Sequence, residues 1–307
     1  MTLAFLNLSW TVFANGLEFG GIYALMAVGI GLVFGVLRLV NFAYGQLIMA
    51  GGFALAYGAQ WGLPNWLSIL FCFGVVLALS LLMDRLVFRP LRGHSPAVML
   101  VATFAVAFLL QNIALLAFGA FGKTAGALAF LNAPWDIGGV EIKKIAIIAI
   151  ATAVFCLVLL QLLLTRTSLG LHMRAASMDF TTARLLGVRA NRVIAGAVVV
   201  SAVFAAVAAV MLSVAEFQVT STFGLSDTIF VLAGVVLGGL NRPIPATLGG
   251  FSIGFASGIL GGVLPADPSK WYGNQYLPTL IFAAVIVVLV LRPNGLFTRG
   301  EGAMERL

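Results

Sequence analysis

The 307 residues are 62% hydrophobic and only 9% charged, with a mean hydropathy of +1.11 and a net charge of +7. A soluble domain carries roughly 25% charged residues, so this composition excludes one and marks a polytopic membrane protein. No basic patch is interleaved with polar-face aromatics, so the positive balance does not point to nucleic acid.

Apolar runs recur near 12–34, 41–60, 64–87, 97–119, 144–165, 192–215, 227–240, 245–263 and 276–292. They approach the ~20 residues a helix needs to cross the hydrocarbon. In lipid the backbone must pair within its own segment, so such runs are helices, and the alternation of a barrel strand is absent. The seventh run is short and flanked by Gly and Pro, which suggests a re-entrant or broken helix. The expected fold class is therefore an all-α polytopic membrane protein with eight or nine transmembrane or re-entrant helices, one transmembrane domain over 1–307. The opening MTLAFLNLSW lacks a basic n-region and is not read as a cleaved signal peptide.

All 13 arginines fall on one side of these spans, while Lys123, Lys143, Lys144 and Lys270 fall on the other. The positive-inside rule puts the arginine side in the cytoplasm. Trp10, Trp61, Trp66, Trp135 and Trp271 all sit at the opposite ends, where amphipathic rings anchor at an interface. The N-terminus is then outside and the C-terminus cytoplasmic, as are the loops 88–96 and 166–191. Membrane lipid is an expected partner of this basic collar.

In the first span Glu18 is the one acid read as lying well inside a run. A carboxylate in hydrocarbon costs about 2.5–3.5 kcal/mol on insertion scales, so it should face a cavity or a partner. A structural hydrogen bond and a contact to a substrate's ammonium both fit. Gly16, Gly20, Gly31 and Gly35 form a small-residue stripe, and Gly234, Gly238, Gly250, Gly254 and Gly258 form others. Such stripes let helices approach, within the chain or against a second subunit. Asn41 and Gln46 open the second span and either line a polar path or hydrogen-bond between helices. Cys72 and Cys156 lie mid-span as small hydrophobes, and no disulfide is expected.

Catalytic signatures are missing. His94 and His172 are the only histidines, no metal-spaced Cys/His cluster occurs, and no metal site is expected. AFGAFGKT (117–124) ends like a phosphate loop but has Ala117 where the first Gly belongs and no strand before it. The chain is thus not expected to be an enzyme or to bind a cofactor of its own.

The loop 166–191 contains RAASMDFTTARLLGV (174–188). Ser177 or Asp179 could start a short helix that Gly187 stops. Ala175, Ala176, Ala183 and Leu186 sit at spacings compatible with one small face, with Arg174, Asp179 and Arg184 around it. An amphipathic helix lying on lipid fits the same pattern. Downstream, Pro243 and Pro245 break the chain between two glycine-rich helices, where a moving part could hinge.

RAASMDFTTARLLGV resembles the EAA-type loop of ABC importer permeases in the LivH-type branch of the branched-chain amino acid permeases, through Arg174, Ala175, Ala183, Arg184 and Gly187. Three further stretches resemble the same family in order: GLEFGGIYALMAVGIGLVFGVLRLVNFAYG (16–45), LAGVVLGGLNRPIPATLGGFSIGF (232–255) and LRPNGLF (291–297). The family commonly has His and Glu in NFAHGE, where this chain has Tyr44 and Gln46. The resemblance implies an ABC importer permease fold in a bacterial inner (cytoplasmic) membrane. It implies a coupling loop at about 166–191 that docks on a cytoplasmic ATP-binding subunit through Arg174, Ala175, Ala176, Asp179, Ala183, Arg184 and Gly187. A second, LivM-like permease subunit and a periplasmic substrate-binding protein complete the expected assembly, with ATP used only through the partner. The small-molecule substrate would be a branched-chain or related amino acid, moved inward, with Glu18, Asn41 and Gln46 as candidate pathway residues. The rivals are a permease for urea or another amide, and a stand-alone secondary transporter or channel that uses Glu18.

Overall fold

The computed structural model describes residues 2–37, 41–91, 94–124, 126, 128–137, 140–178, 180–239, 243–264, 273–292 and 295–297. Helix α1 (Thr2–Leu37) is followed by α2 (Tyr44–Gln60) and α3 (Asn65–Met83). A π-turn over Asp84–Phe88 then leads into α4 (Arg89–Leu91). Next come α5 (Pro96–Phe118), α6 (Lys144–Arg166), α7 (Ser168–Met178), α8 (Phe180–Leu185), α9 (Ala190–Glu216), α10 (Leu225–Gly238), α11 (Pro243–Val263) and α12 (Leu277–Leu291). Each of the nine apolar runs corresponds to one of these helices, so the all-α membrane fold stands. Six are long and apolar enough to cross a bilayer, whereas α2, α10 and α12 are shorter. The 14 residues of α10 cover about 21 Å, well short of the ~30 Å of hydrocarbon, so a sequence reading of this run as broken or re-entrant has a geometric basis.

The third helix outlasts its apolar run and occupies the start of the expected loop 88–96. Pro90 has no N–H for an i−4 bond, and the helix widens to π just ahead of it. Buried Asp84 accepts from the Arg89 guanidinium at 3.0 Å and ties this end together.

Helix α1 is the centre of the fold: 83% of its most apolar window is buried, against 22% for α5 and α6. Its small residues explain why. Gly250, Gly254 and Gly258 of α11 lie directly on the α1 backbone at Tyr23, Phe19 and Asn15, and Gly21 of α1 abuts the α6 backbone at Ala149 and Ile150. Gly234 and Gly238 of α10 meet Gly249 of α11 in the same way. Without a hydrophobic drive between helices in lipid, close backbone approach supplies the van der Waals contact. These stripes therefore pack within the chain. Gly35 is the exception, with open space where a Cβ would stand.

Two short antiparallel ladders lie on the lysine side. Strand β1 (Lys123–Thr124) pairs with β4 (Gln218–Val219), and β2 (Pro134–Ile137) forms a hairpin with β3 (Val140–Lys143). The first joins the end of α5 to the end of α9. The second carries Lys143 onto α1.

Candidate functional site

The segment between α6 and α9 is a short helical hairpin whose first helix packs on α6, α9 and α1. It begins well before Ser177, with α7 starting at Ser168: the Thr167 hydroxyl accepts from the Gly170 N–H at 3.0 Å and caps α7. Gly170 is required there, because a Cβ would collide with the Leu163 carbonyl at the α6–α7 reversal. Met173 and Ala176 turn inward, and Leu169 and Met173 pack where α9 offers Gly196. Helix α8 ends as the sequence suggests. Gly187 takes φ +86, the left-handed region open to glycine, and the Val188 N–H closes on the Ala183 carbonyl at 3.0 Å.

The hairpin's faces differ from the expected arrangement in one respect. Ala176 and Ala183 are buried, Ala175 is half-buried and Leu186 is exposed, so they do not share one outward face. The spacing rule assumed a single helix, whereas the segment is split into α7 and α8. What the tip exposes is apolar and larger: Met178, Leu185 and Leu186 are each at least 80% accessible. Arg174 is also exposed, its carbonyl accepting from Ser177. Asp179 and the Arg184 side chain lie outside the described residues.

Glu18, Asn41 and Gln46 are not brought together. Glu18 is buried and pairs with Lys143 Nζ at 3.1 Å, a partner 125 positions away that no local pattern in the sequence could supply. This ion pair gives the buried carboxylate a cationic partner within the chain. Asn41 Oδ1 accepts from the Ala43 N–H at 3.1 Å and closes the turn that leads into α2. Gln46 is wholly buried, and neither amide atom has a partner among the described residues. Such a group is costly to leave bare, which marks it as a place where water or a solute completes the bonding.

Glu18 is also not the only buried acid. Asp227, in the first turn of α10, is buried and accepts from the Tyr23 hydroxyl at 2.7 Å. Sequence reading placed it at the edge of the seventh run and passed over it. The signal was available: an acid three residues after Gly224 matches the preference of a helix start for negative charge. Further out, a cavity of about 440 Å³ lies between α2, α3 and α5, one turn beyond Gln46 on the same face of α2.

The family described as branched-chain amino acid transport system / permease component matches residues 12–291. The chain belongs to this family. It is 30% identical over 299 residues to the high-affinity branched-chain amino acid transport system permease protein BraD of Pseudomonas aeruginosa, covering 94% of this chain and 95% of that one. The LivH permeases of Salmonella typhimurium and Escherichia coli are each 27% identical over 301 residues, covering 94% of both chains. A solved inward-facing structure described as a metal-chelate type ABC transporter shares the fold at TM-score 0.52, with 17% identity over 95% of this chain and 91% of that one. The permease is therefore a multi-span membrane subunit and not an enzyme. ABC permeases of this kind work with ATP-hydrolysing partners and another permease subunit.

Proposed function

We propose that this permease moves branched-chain or related amino acids inward, coupled to ATP hydrolysed by a cytoplasmic subunit that docks on the α7–α8 hairpin. The observation that carries the coupling role is the tip itself: Met178, Leu185 and Leu186 are exposed on a hairpin anchored at its base. An apolar patch on an otherwise charged loop fits a protein groove. The base is rigid, with Gly170 against α6 and Leu169 and Met173 against α9, so displacement of the tip moves two spans together. Docking need only favour one of two packings of those spans over the other.

In this reading 1–307 is one transmembrane domain with the N-terminus outside and the C-terminus in the cytoplasm. A LivM-like chain is the second permease subunit, and a periplasmic binding protein delivers solute to the lysine side. Glu18–Lys143 stabilises that side, and Gln46 lies on the solute's route.

The test is uptake of labelled leucine in cells that carry the permease with its partner subunits. Leu185→Asp combined with Leu186→Asp should abolish uptake and release the ATP-binding subunit on purification, with membrane insertion unchanged. Uptake that persists in this variant, or that survives ATP depletion, would overturn the coupling role. Uptake of urea or an amide in preference to leucine would overturn the substrate class alone.

A further inference from the structure

Helix α5 packs on α2 and on the π-turn, and most of its surface is exposed. Between α5, α2 and α3 lies the cavity of about 440 Å³, walled by Met49, Phe53 and Tyr57 of α2, Val75 of α3, and Ala114 and Phe118 of α5. Its inner wall is buried, with Met49, Phe53 and Ala114 each at most 4% accessible, while Phe71, Ile113 and Trp61 form an exposed rim. Aromatic rings line it continuously, Phe53 on Phe118 at 4.3 Å, Phe118 on Tyr57 at 5.2 Å, and Tyr57 on Trp61 at 5.9 Å.

Three dimensions decide what fits. From Met49 to Trp61 the slot runs along α2 for about 18 Å, close to the depth of one leaflet of a ~30 Å hydrocarbon core. Spread over that length, the volume gives a mean section of about 24 Å², too narrow for a helix of about 10–12 Å diameter but wide enough for one extended hydrocarbon chain. Its mouth lies at the aromatic belt, where Trp61 is 63% accessible. There Lys123 Nζ stands 5.8 Å from the Tyr57 ring, held in place by the β1–β4 pairing of Lys123 with Val219.

We propose that this slot is a binding site for a phospholipid, its acyl chain between α2, α3 and α5 and its phosphate on Lys123. In the orientation proposed above the lipid comes from the outer leaflet. The solute itself is a poorer occupant. The walls carry no carboxylate, and the Tyr57 hydroxyl and Trp61 indole are the only polar side-chain groups available to an amino acid's ammonium. An acyl chain needs no polar partner there, and a phosphate has one at the mouth.

The experiment uses the full permease in a mild detergent with phosphatidylglycerol that carries a photoactivatable group midway along one chain. Labelling should map to the α2 segment 49–57 and to α5 around Ala114. Ala114→Trp fills the slot and should abolish that labelling, while labelling at the lipid-facing Phe108 persists and reports an intact fold. Lys123→Gln should weaken retention of phosphatidylglycerol about fivefold, the usual contribution of one lysine at an anionic surface. The site is overturned if only the Phe108 face is labelled, if Ala114→Trp leaves slot labelling unchanged, or if excess leucine displaces it. Leucine uptake by the same preparation reports separately on the transport role.

Discussion

Gly254→Ala adds a single methyl to a backbone-to-backbone contact, the crossing of α11 over α1. That Cβ would collide with the Phe19 carbonyl and come within 2.8 Å of the Tyr23 Cβ. Ordinary contact starts near 3.4 Å, so the helices must part by at least 0.6 Å at Tyr23, and by more at Phe19. Local relief is blocked on both sides. A Cβ at Gly250 would already stand 2.9 Å from the Tyr23 carbonyl, and one at Gly258 would stand 2.7 Å from the Gly16 Cα. Separation therefore loosens about 12 Å of interface, the rise from 250 to 258. Overpacking against well-ordered neighbours costs about 1–3 kcal/mol, and backbone neighbours put this site at the upper end. Alanine returns up to about 1 kcal/mol of helix propensity, so a net loss of about 2 kcal/mol is expected. Gly74→Ala in α3 is the control, since nothing lies within 4 Å of its Cβ position. Thermal unfolding of the detergent-solubilised chain should show Gly254→Ala well below wild type and Gly74→Ala at or above it. Equal stability of the two variants would mean that α1 and α11 do not meet backbone to backbone.

Lys143→Met leaves Glu18 buried without its cation and should cost about 2 kcal/mol, between the ranges for surface and buried pairs. Adding Glu18→Gln should recover most of it in the same unfolding assay, and a double variant no better than the single would refute the pair. Tyr23→Phe removes the donor to buried Asp227 and should lower stability by about 1.5–3 kcal/mol, with Asp227→Asn in the same background restoring part. Failure of that second change to help would show that the hydroxyl serves another group. Gly187→Leu forces a side chain into φ +86 and should cost about 1 kcal/mol locally, read as faster amide exchange over 183–188 with the melting temperature of the bundle unchanged. Ala183→Trp acts differently because Ala183 is buried: it should lower expression of folded permease as well as uptake, which distinguishes a packing position from a docking one.

The spans were legible because lipid imposes a single rule on them. Any run long and apolar enough must satisfy its backbone internally, and the nine runs accordingly became nine helices. Their ends were less so. Nothing in the apolar count carries the third run past 87 to the end of α4 at Leu91, where the Asp84–Arg89 pair ties the π-turn to α4. The glycine stripes announced close packing but not its partner, because a small-residue face on α11 is complementary to any helix that can approach it. Only the three-dimensional arrangement assigns it to α1.

Site residues divide along the same line. Gly187 was readable because its conformation is a property of the local backbone, whereas Asn41, read as a path-lining or interhelical group, bonds the backbone two residues on. The partners of Glu18 and Asp227 were not readable, since Lys143 and Tyr23 are 125 and 204 positions distant. The hairpin shows the intermediate case. Its existence, its terminal glycine and its small residues were all in the sequence, but the small residues turned out to face the bundle and the leucines to face away. That inversion follows from what each surface must do. On the inner face of α7, Gly170 meets the α6 backbone at a range that leaves no room for a Cβ, and Gly196 of α9 makes space for Leu169 and Met173. The outer tip has no such neighbour, and its large apolar side chains are the surface that the proposed docking would cover. The small residues thus set how closely the hairpin is joined to α6 and α9, and in the proposed docking the exposed leucines would make the contact.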